Sequence, residues 1–203
     1  MPFGDLVGER VCLPIYFRAM RWMALTVLLT AAALRSAPAP AGQNDPRLAQ
    51  LFAALAAAPS AGTAHTLEAE ITHIWAESAD PATQQLMRKG LSLMARHENG
   101  AALKAFDEMV AHAPDFAEGW NKRATIEFQL GDYKASMADI AHTLKLEPRH
   151  FGALAGLGQV ELALGNKAAA LNAFDQALAI DPYLGDVPKM AERLRKELAG
   201  KPI

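Results

Sequence analysis

The sequence predicts an all-α fold, an α-solenoid of tandem antiparallel helix hairpins, and three observations point to it. Prolines recur at a spacing of 34 residues, at Pro114, Pro148 and Pro182, and a fixed period of this length indicates stacked supersecondary units. Hydrophobic residues make up 51% of the chain but aromatic residues only 7%. Much of the apolar content is alanine, which favours closely packed helices. β-branched residues are few, which argues against a sheet.

The three prolines set the register of three repeats. Counting each proline as position 32 gives the units 83–116, 117–150 and 151–184. Positions 20 and 24 of each unit pair a small residue with a larger one: Ala102 with Phe106, Ser136 with Ile140, Ala170 with Phe174. Residues four apart share a helix face, so the small residue lets a neighbouring helix approach and the large one fills the gap. We therefore expect this face to be core.

A glycine marks the turn inside two of the predicted hairpins. Gly131 and Gly165 both stand at position 15, where a residue with positive φ can end a helix. The first unit has His97 there instead. Asp132 and Asn166 follow the two glycines, and both are predicted to accept hydrogen bonds from free N–H groups of the next helix.

These residues resemble the tetratricopeptide repeat (TPR) family, whose pattern is W-x2-L-G-x2-Y, then A-x3-F, then P within 34 residues. The unit 151–184 fits best, with Leu157, Gly158, Ala170, Phe174, Ala177 and Pro182. The unit 117–150 has Trp120 and Pro148 but departs at Arg123, Ser136 and Thr143. The resemblance covers about half of the chain, and it implies a TPR-like superhelix with a concave face.

Flanking segments are predicted to complete the stack. Residues 44–82 contain two helical patterns, with Asp45 as a candidate cap and Pro46 at the first helical position. We expect them to form a degenerate hairpin stacked before the first repeat as an N-terminal cap. Residues 186–200 are predicted to hold one amphipathic capping helix. Polar-backed ends are needed because a terminal hairpin otherwise leaves its apolar face in water.

The first 41 residues are predicted to be a secretory signal region. A run of twelve uncharged residues, 23–34, follows Arg18 and Arg21 and precedes a stretch of small residues and prolines, which are the three parts of such a signal. Cleavage is expected after Ala41. The alternative is an uncleaved membrane anchor, although a span needs about 20 apolar residues.

Residues 1–19 fit this signal poorly, because a charged signal region is usually short and these residues contain two prolines and two glycines. We expect translation to start at Met20 or Met23, which would make the preceding residues a start-site overcall. A precursor peptide covering residues 3–10 would contradict that expectation.

Sequence motifs for catalysis or nucleotide binding are absent: there is no G-x-G-x-x-G, P-loop, H-E-x-x-H or G-x-S-x-G. His65 and His73 lie eight residues apart, a spacing that matches no common zinc pattern. The single cysteine, Cys12, lies in the predicted signal region. A net charge of −2 disfavours nucleic acid. We therefore predict no enzyme activity, cofactor, metal or nucleic-acid partner.

The family resemblance implies that the first helix of each unit lines a concave groove, chiefly through positions 2, 5, 9, 12 and 13. The partner-binding residues that it implies here are Gln84, Met87, Leu91, Met94, Asn121, Thr125, Phe128, Gln129, Gln159 and Leu162. Position 12 is apolar in every unit, which is typical of a groove for an apolar or helical peptide. It is equally typical of packing on the second helix of the same hairpin.

Some family members grip a C-terminal carboxylate with Lys and Asn at positions 5 and 9. Met87 and Leu91 occupy those positions in the first unit, so this clamp is absent. The sequence thus predicts a non-enzymatic scaffold, exported to the bacterial periplasm, that binds a peptide or partner protein. The alternative is a scaffold anchored in the inner membrane through residues 20–36, and self-association through the repeat ends is a further expectation.

Overall fold

The computed structural model describes residues 42–200. After a short 3₁₀ turn, Gly42–Asn44, these residues form nine α-helices and no strand. The helices are α1 Arg47–Ala56, α2 Ala61–Ala76, α3 Pro81–Ala95, α4 Asn99–His112, α5 Ala117–Leu130, α6 Tyr133–Leu146, α7 Phe151–Ala163, α8 Lys167–Ile180 and α9 Val187–Leu198. None of the helices in this part of the chain is both long and apolar enough to cross a bilayer. The predicted signal region and its start site lie outside the described residues.

Helices α3 to α8 form three hairpins, and each hairpin packs on the next. The all-α solenoid predicted from the sequence is therefore confirmed. Helix α9 packs on α8 and buries Val187, Ala191 and Leu194, while its charged residues other than Glu197 face solvent. It packs against the third hairpin, and its role as a C-terminal cap stays a prediction.

A glycine and a phenylalanine interlock in the first and third hairpins. A Cβ atom on Gly90 would lie 2.5 Å from Cε1 of Phe106, and one on Gly158 would overlap Phe174 more closely still. Both phenylalanines are fully buried. In the second hairpin Ala124 and Ile140 take these places. The small-and-large pattern is thus a core of tightly packed helices.

The turns between paired helices use position 15 as expected. Gly131 and Gly165 have φ values of +83° and +82°, and His97 adopts the same left-handed region at +58°. Asp132 accepts a hydrogen bond from the backbone N–H of Ala135 at 3.0 Å. The expected cap at Asn166 is wrong, because its side-chain amide instead donates to Glu161 at 2.8 Å.

Two helix starts differ from the sequence expectation. Helix α3 begins at Pro81, two residues before the predicted repeat boundary, because the Asp80 carboxylate accepts from the Thr83 N–H at 2.8 Å and caps the helix there. Helix α1 begins at Arg47, one residue after Pro46. Asp45 still binds its first turn, accepting from the Arg47 N–H at 2.8 Å.

The N-terminal hairpin does not stack before the first repeat, and that prediction is wrong. The core of α1 and α2 includes Phe151, and Ile180 and Leu184 pack against it. All three belong to the third repeat or to the connection that follows it. Helix α1 contacts α8, and α2 contacts α5. The hairpin covers large apolar side chains where one repeat connects to the next, and their removal from water favours this packing.

A partly buried ion-pair network joins the first and second hairpins. The Arg123 guanidinium on α5 donates to both oxygens of Asp139 on α6, at 2.6 and 2.8 Å, and to Asp107 on α4 at 3.1 Å. These contacts hold the pKa of Arg123 above its usual value, chiefly through the hydrogen bonds to Asp139. The residues where the second unit departs from the family pattern therefore form their own stabilising contacts.

Candidate peptide-binding groove

A small cleft lies between α5 and α7, the first helices of the second and third repeats, and encloses about 60 Å³. Four of the predicted partner-binding residues line it: Asn121, Thr125, Phe128 and Gln159. Gly152 and Gly156, one turn apart on α7, form part of its wall. A Cβ on Gly156 would touch only Ile140, at 3.7 Å, so glycine leaves open space where α7 faces the cleft.

The lining of this cleft is uncharged. Beside the four predicted residues it consists of Ala124, Ser136, Ile140 and the two glycines. The Asn121 amide donates to Glu118 at 3.0 Å, and the Thr125 hydroxyl donates to the Asn121 carbonyl at 2.9 Å. Amide side chains can both donate and accept, so this cleft suits a neutral polar ligand such as a peptide backbone.

A second cleft lies between α7 and α9 and encloses about 110 Å³. The predicted residue Leu162 lines it together with Met190, Arg193 and Leu194. The three residues of α9 were not in the predicted site. Continuing the 34-residue register past Pro182 would have found them, because it gives α9 the position of a first helix in the next unit.

Two residues predicted to bind a partner in the first repeat have structural roles. Met87 is only 1% exposed and lies in the core with Phe106 and Met109. Gln84 accepts a hydrogen bond from the Ser78 N–H at 2.7 Å and so fixes the connection between α2 and α3. The prediction for Met87 is therefore wrong because its side chain is buried, whereas partner binding by the half-buried Gln84 stays a prediction.

The remaining predicted residues divide by exposure. Leu91 is 37% exposed, and Gln129 faces solvent. Met94, Phe128 and Leu162, the position-12 set, are each half-buried against the core of their own hairpin. The Phe128 ring lies 5.5 Å from that of Tyr133. The position-12 side chains thus pack internally and also keep one exposed edge.

Next to the uncharged cleft, Glu118 forms a buried polar junction between the second and third repeats. Its carboxylate binds Nε2 of His150 at 2.8 Å and the Lys122 ammonium at 2.8 Å. Burial opposes ionisation of Glu118, but attraction to Lys122 and the hydrogen bond from His150 outweigh it and hold the pKa at about 2. Trp75 stacks on His150 at 4.0 Å and covers the junction.

Glu127 and Glu161 stand at position 11 of the second and third repeats, but their carboxylates have different partners. Glu127 lies 3.8 Å from Arg123, and burial, followed by repulsion from Asp139, raises its pKa to about 7. Glu161 accepts from Asn166.

His65 and His73 each lie close to a glutamate of the same helix or its end, Glu68 at 3.7 Å and Glu77 at 3.2 Å. Residues 42–200 contain no cluster of three such side chains that could hold a metal ion.

A row of exposed leucines was missed by the sequence analysis. Leu130, Leu164 and Leu198 follow one another at 34-residue spacing, at the C-terminal ends of α5, α7 and α9. They are 51%, 48% and 49% exposed. Applying the proline register to position 14 would have found them.

Stacked helix hairpins with clefts between their first helices define a class of protein, the helical-repeat interaction scaffolds. The family model described as tetratricopeptide repeat matches residues 87–143 and 138–184. A TPR repeat-containing protein of Rhizobium etli is 38% identical over 154 residues, which is 76% of this chain and 76% of that protein. The chain therefore belongs to the tetratricopeptide repeat family.

A more distant relative, cellulose synthase operon protein C of Komagataeibacter sucrofermentans, is 30% identical over 77% of this chain but only 11% of that protein. Among solved structures, the first TPR of Spaghetti (RPAP3) bound to an HSP90 peptide matches with a TM-score of 0.56 at 17% identity, over 58% of this chain and 94% of the other. The structure of MamA matches with a TM-score of 0.55 at 17% identity, over 68% and 84%. These two structures support the fold alone.

Proposed function

We propose that this protein is a non-enzymatic binding module that holds an uncharged, extended stretch of a partner polypeptide in the cleft between α5 and α7. The observation that carries the proposal is the lining of this cleft: it joins Asn121, Thr125, Phe128 and Gln159 without a charged side chain. Side-chain amides can bind a peptide backbone whatever its sequence. The exposed edge of Phe128 offers an apolar contact beside them.

The chemistry of this cleft does not suit a C-terminal carboxylate. One structural neighbour is bound to an HSP90 peptide, and family members that grip such an end do so with lysine and asparagine on their first helices. Here the corresponding first-repeat residues are Met87, which is buried, and Leu91. We therefore propose an internal segment of the partner as the ligand, rather than its end.

The apolar run at 23–34 with its positive flank supports export to the bacterial periplasm. Cleavage after Ala41 would leave Gly42 as the first residue, and every described element would be kept. Gly42 is buried beside Phe116, and Gln43 donates to the Asp115 carbonyl at 2.6 Å. Mass spectrometry of the protein from the periplasmic fraction tests this: a chain starting at Gly42 supports cleavage, and an intact chain in the membrane fraction supports the inner-membrane scaffold instead.

The groove proposal is tested with two matched glutamine substitutions in the third repeat. Gln159 faces the cleft, whereas Gln176 is exposed on α8. Partners captured from periplasmic extract by the wild type should be lost with Gln159→Lys and with Phe128→Glu, and kept with Gln176→Lys. Partners retained equally by all variants, with unchanged circular dichroism, would contradict binding in this cleft.

Self-association through the repeat ends is the second candidate, and the exposed row Leu130, Leu164 and Leu198 favours it. Light scattering of the purified protein measures it directly. A mass that falls to that of one chain in Leu164→Glu would support it, and a single-chain mass in the wild type would exclude it.

A further inference from the structure

The N-terminal segment 42–76, which consists of the 3₁₀ turn and the hairpin of α1 and α2, contacts all three connections that link one repeat to the next unit. At the first connection, the side-chain amide of Gln43 donates to the Asp115 carbonyl, and its Oε1 atom accepts from the Ala117 N–H at 3.4 Å. At the second, Trp75 stacks on His150 at 4.0 Å and lies 5.0 Å from Phe151. The hairpin is thus held to the solenoid at several points along its length.

Apolar contacts supply much of this interface. Ile180 and Leu184 pack against the hairpin core, and the Arg149 guanidinium lies 4.2 Å from the centre of the Phe52 ring. Arg149 is held in place by Glu147, to which it donates two hydrogen bonds of 3.0 Å. Undocking the hairpin would expose these side chains to water, which opposes it.

At the third connection two carboxyl groups meet. Glu68 of α2, whose side chain is 16% exposed, lies beside Asp181 at the end of α8, close enough for the two carboxyl groups to interact. Asp181 is fully buried: its Oδ1 accepts from the Tyr183 N–H at 3.0 Å, while Oδ2 has no N–H or O–H donor within residues 42–200. A buried acceptor needs a donor, and a protonated Glu68 is the neighbour that can supply one.

We infer that residues 42–76 form a strap that is held on the third repeat by one proton shared between Glu68 and Asp181, and that the strap loosens when this proton is lost. Two carboxylates in contact cannot both be ionised without strong repulsion. The strap is independent of the ligand proposed for the groove, because it concerns a different surface. Its loosening uncovers Phe151, Ile180 and Leu184, an apolar surface beside the repeat connections.

The direction of the pH effect follows from the surroundings of Glu68. Burial, followed by the hydrogen bond and repulsion from Asp181, raises its pKa from 4.5 to about 7. A carboxyl with a raised pKa in the docked state stabilises docking below its ordinary pKa, and this contribution is lost as the pH rises through 7. On its own helix the exposed His65 lies 3.7 Å away; when protonated it favours ionised Glu68 and so reduces the effect at acidic pH.

Hydrogen–deuterium exchange of the full chain between pH 5.5 and 8.5, corrected for intrinsic exchange rates, tests the strap. Protection of amides in α2 should fall by about tenfold between pH 6 and 8, while protection in α5 stays constant. Glu68→Gln should keep α2 protected at pH 8, because its amide donates to the Asp181 carboxylate without a shared proton. Glu70→Gln, an exposed site on the same helix, should behave like the wild type.

Three results would overturn the inference. The first is amide protection of α2 that does not change with pH in the wild type. The second is a loss of α2 protection at high pH in Glu68→Gln that equals the loss in the wild type. Loss of protection in α2 and α5 together would show general unfolding instead. Should Glu68→Gln fail to fold by circular dichroism, Asp181→Asn provides the same test from the other side, since its amide can donate to ionised Glu68.

Discussion

The second repeat and the third repeat hold their paired helices together in different ways. In the third, Phe174 lies over Gly158 with no room for a Cβ atom. In the second, Arg123 on α5 binds Asp139 on α6, and the Ser136 hydroxyl donates across to the Ala124 carbonyl at 2.9 Å. One hairpin geometry therefore tolerates either a steric interlock or a polar network between its two helices.

The largest expected effect is the removal of the steric interlock. Phe174→Ala leaves a cavity between α7 and α8, and we expect it to lower the free energy of unfolding by about 3–5 kcal/mol. Urea denaturation followed by circular dichroism measures this. Leu171→Ala, at a half-buried position of the same helix, is the matched control and should cost less. A loss below about 1 kcal/mol for Phe174→Ala would show that the third repeat collapses around the gap.

The polar network of the second repeat should respond differently to single and double substitution. Asp139→Ala leaves Arg123 with its weaker Asp107 contact, and we expect a loss of about 2 kcal/mol, below the range for fully buried pairs because Arg123 is partly exposed. Arg123→Leu with Asp139→Ala restores an apolar contact, so the double variant should recover most of this stability. If the double variant were less stable than Asp139→Ala, an apolar contact could not replace the polar network, and the charges would be essential to the hairpin.

Substitutions at the turn residues should change stability less, and in opposite directions in the second and first repeats. Gly131→Ala places a Cβ at a φ of +83° and should lower stability by about 1 kcal/mol. His97→Gly relieves the same strain in the first repeat and should raise stability by a few tenths of a kcal/mol. Thermal melts of the two variants beside the wild type test this. A decrease in melting temperature for His97→Gly would mean that the histidine side chain makes a compensating contact.

A further small effect concerns the dependence of stability on pH and the network around Glu127. Burial raises its pKa to about 7, so its stabilising contribution is present below pH 4.5 and is lost as the pH rises through 7. Glu127→Gln removes this loss and should be more stable than the wild type by roughly 0.5 kcal/mol at pH 8, after allowance for solvent screening. At pH 5 the two should be nearly equal. A stability difference that does not change with pH would contradict the raised pKa.

Repeat register was readable from the sequence because it depends on local rules. Pro148 ends one helix, Gly131 ends another, and a small residue four positions before a large one marks a packed face. Each of these features depends on residues within a few positions of one another, so the sequence alone is enough to locate it. The fate of Asn166 was not readable, because its amide can cap a helix or bind Glu161, and only the positions of both side chains decide between them.

The candidate site was predicted in part for the same reason. Asn121, Thr125, Phe128 and Gln159 meet in one cleft because equivalent positions of successive repeats face the same way. Met87 was wrongly predicted to lie at the surface. Its exposure depends on how α3 and α4 pack, and its position within the repeat does not predict that packing. Met190 and Leu194 were missed because the repeat register was not continued past residue 184.

By itself the sequence determined that this protein is a stack of helix hairpins in a 34-residue register, since helix ends, turns and core faces follow from nearby residues. Only the tertiary structure decided where the N-terminal hairpin docks. Its apolar face fits any exposed apolar surface, and the repeat connections with Phe151, Ile180 and Leu184 offer one. The same docking brings Glu68 to Asp181, residues 113 positions apart. No pattern of neighbouring residues predicts a contact between two acids, because two carboxyl groups repel each other unless they share a proton.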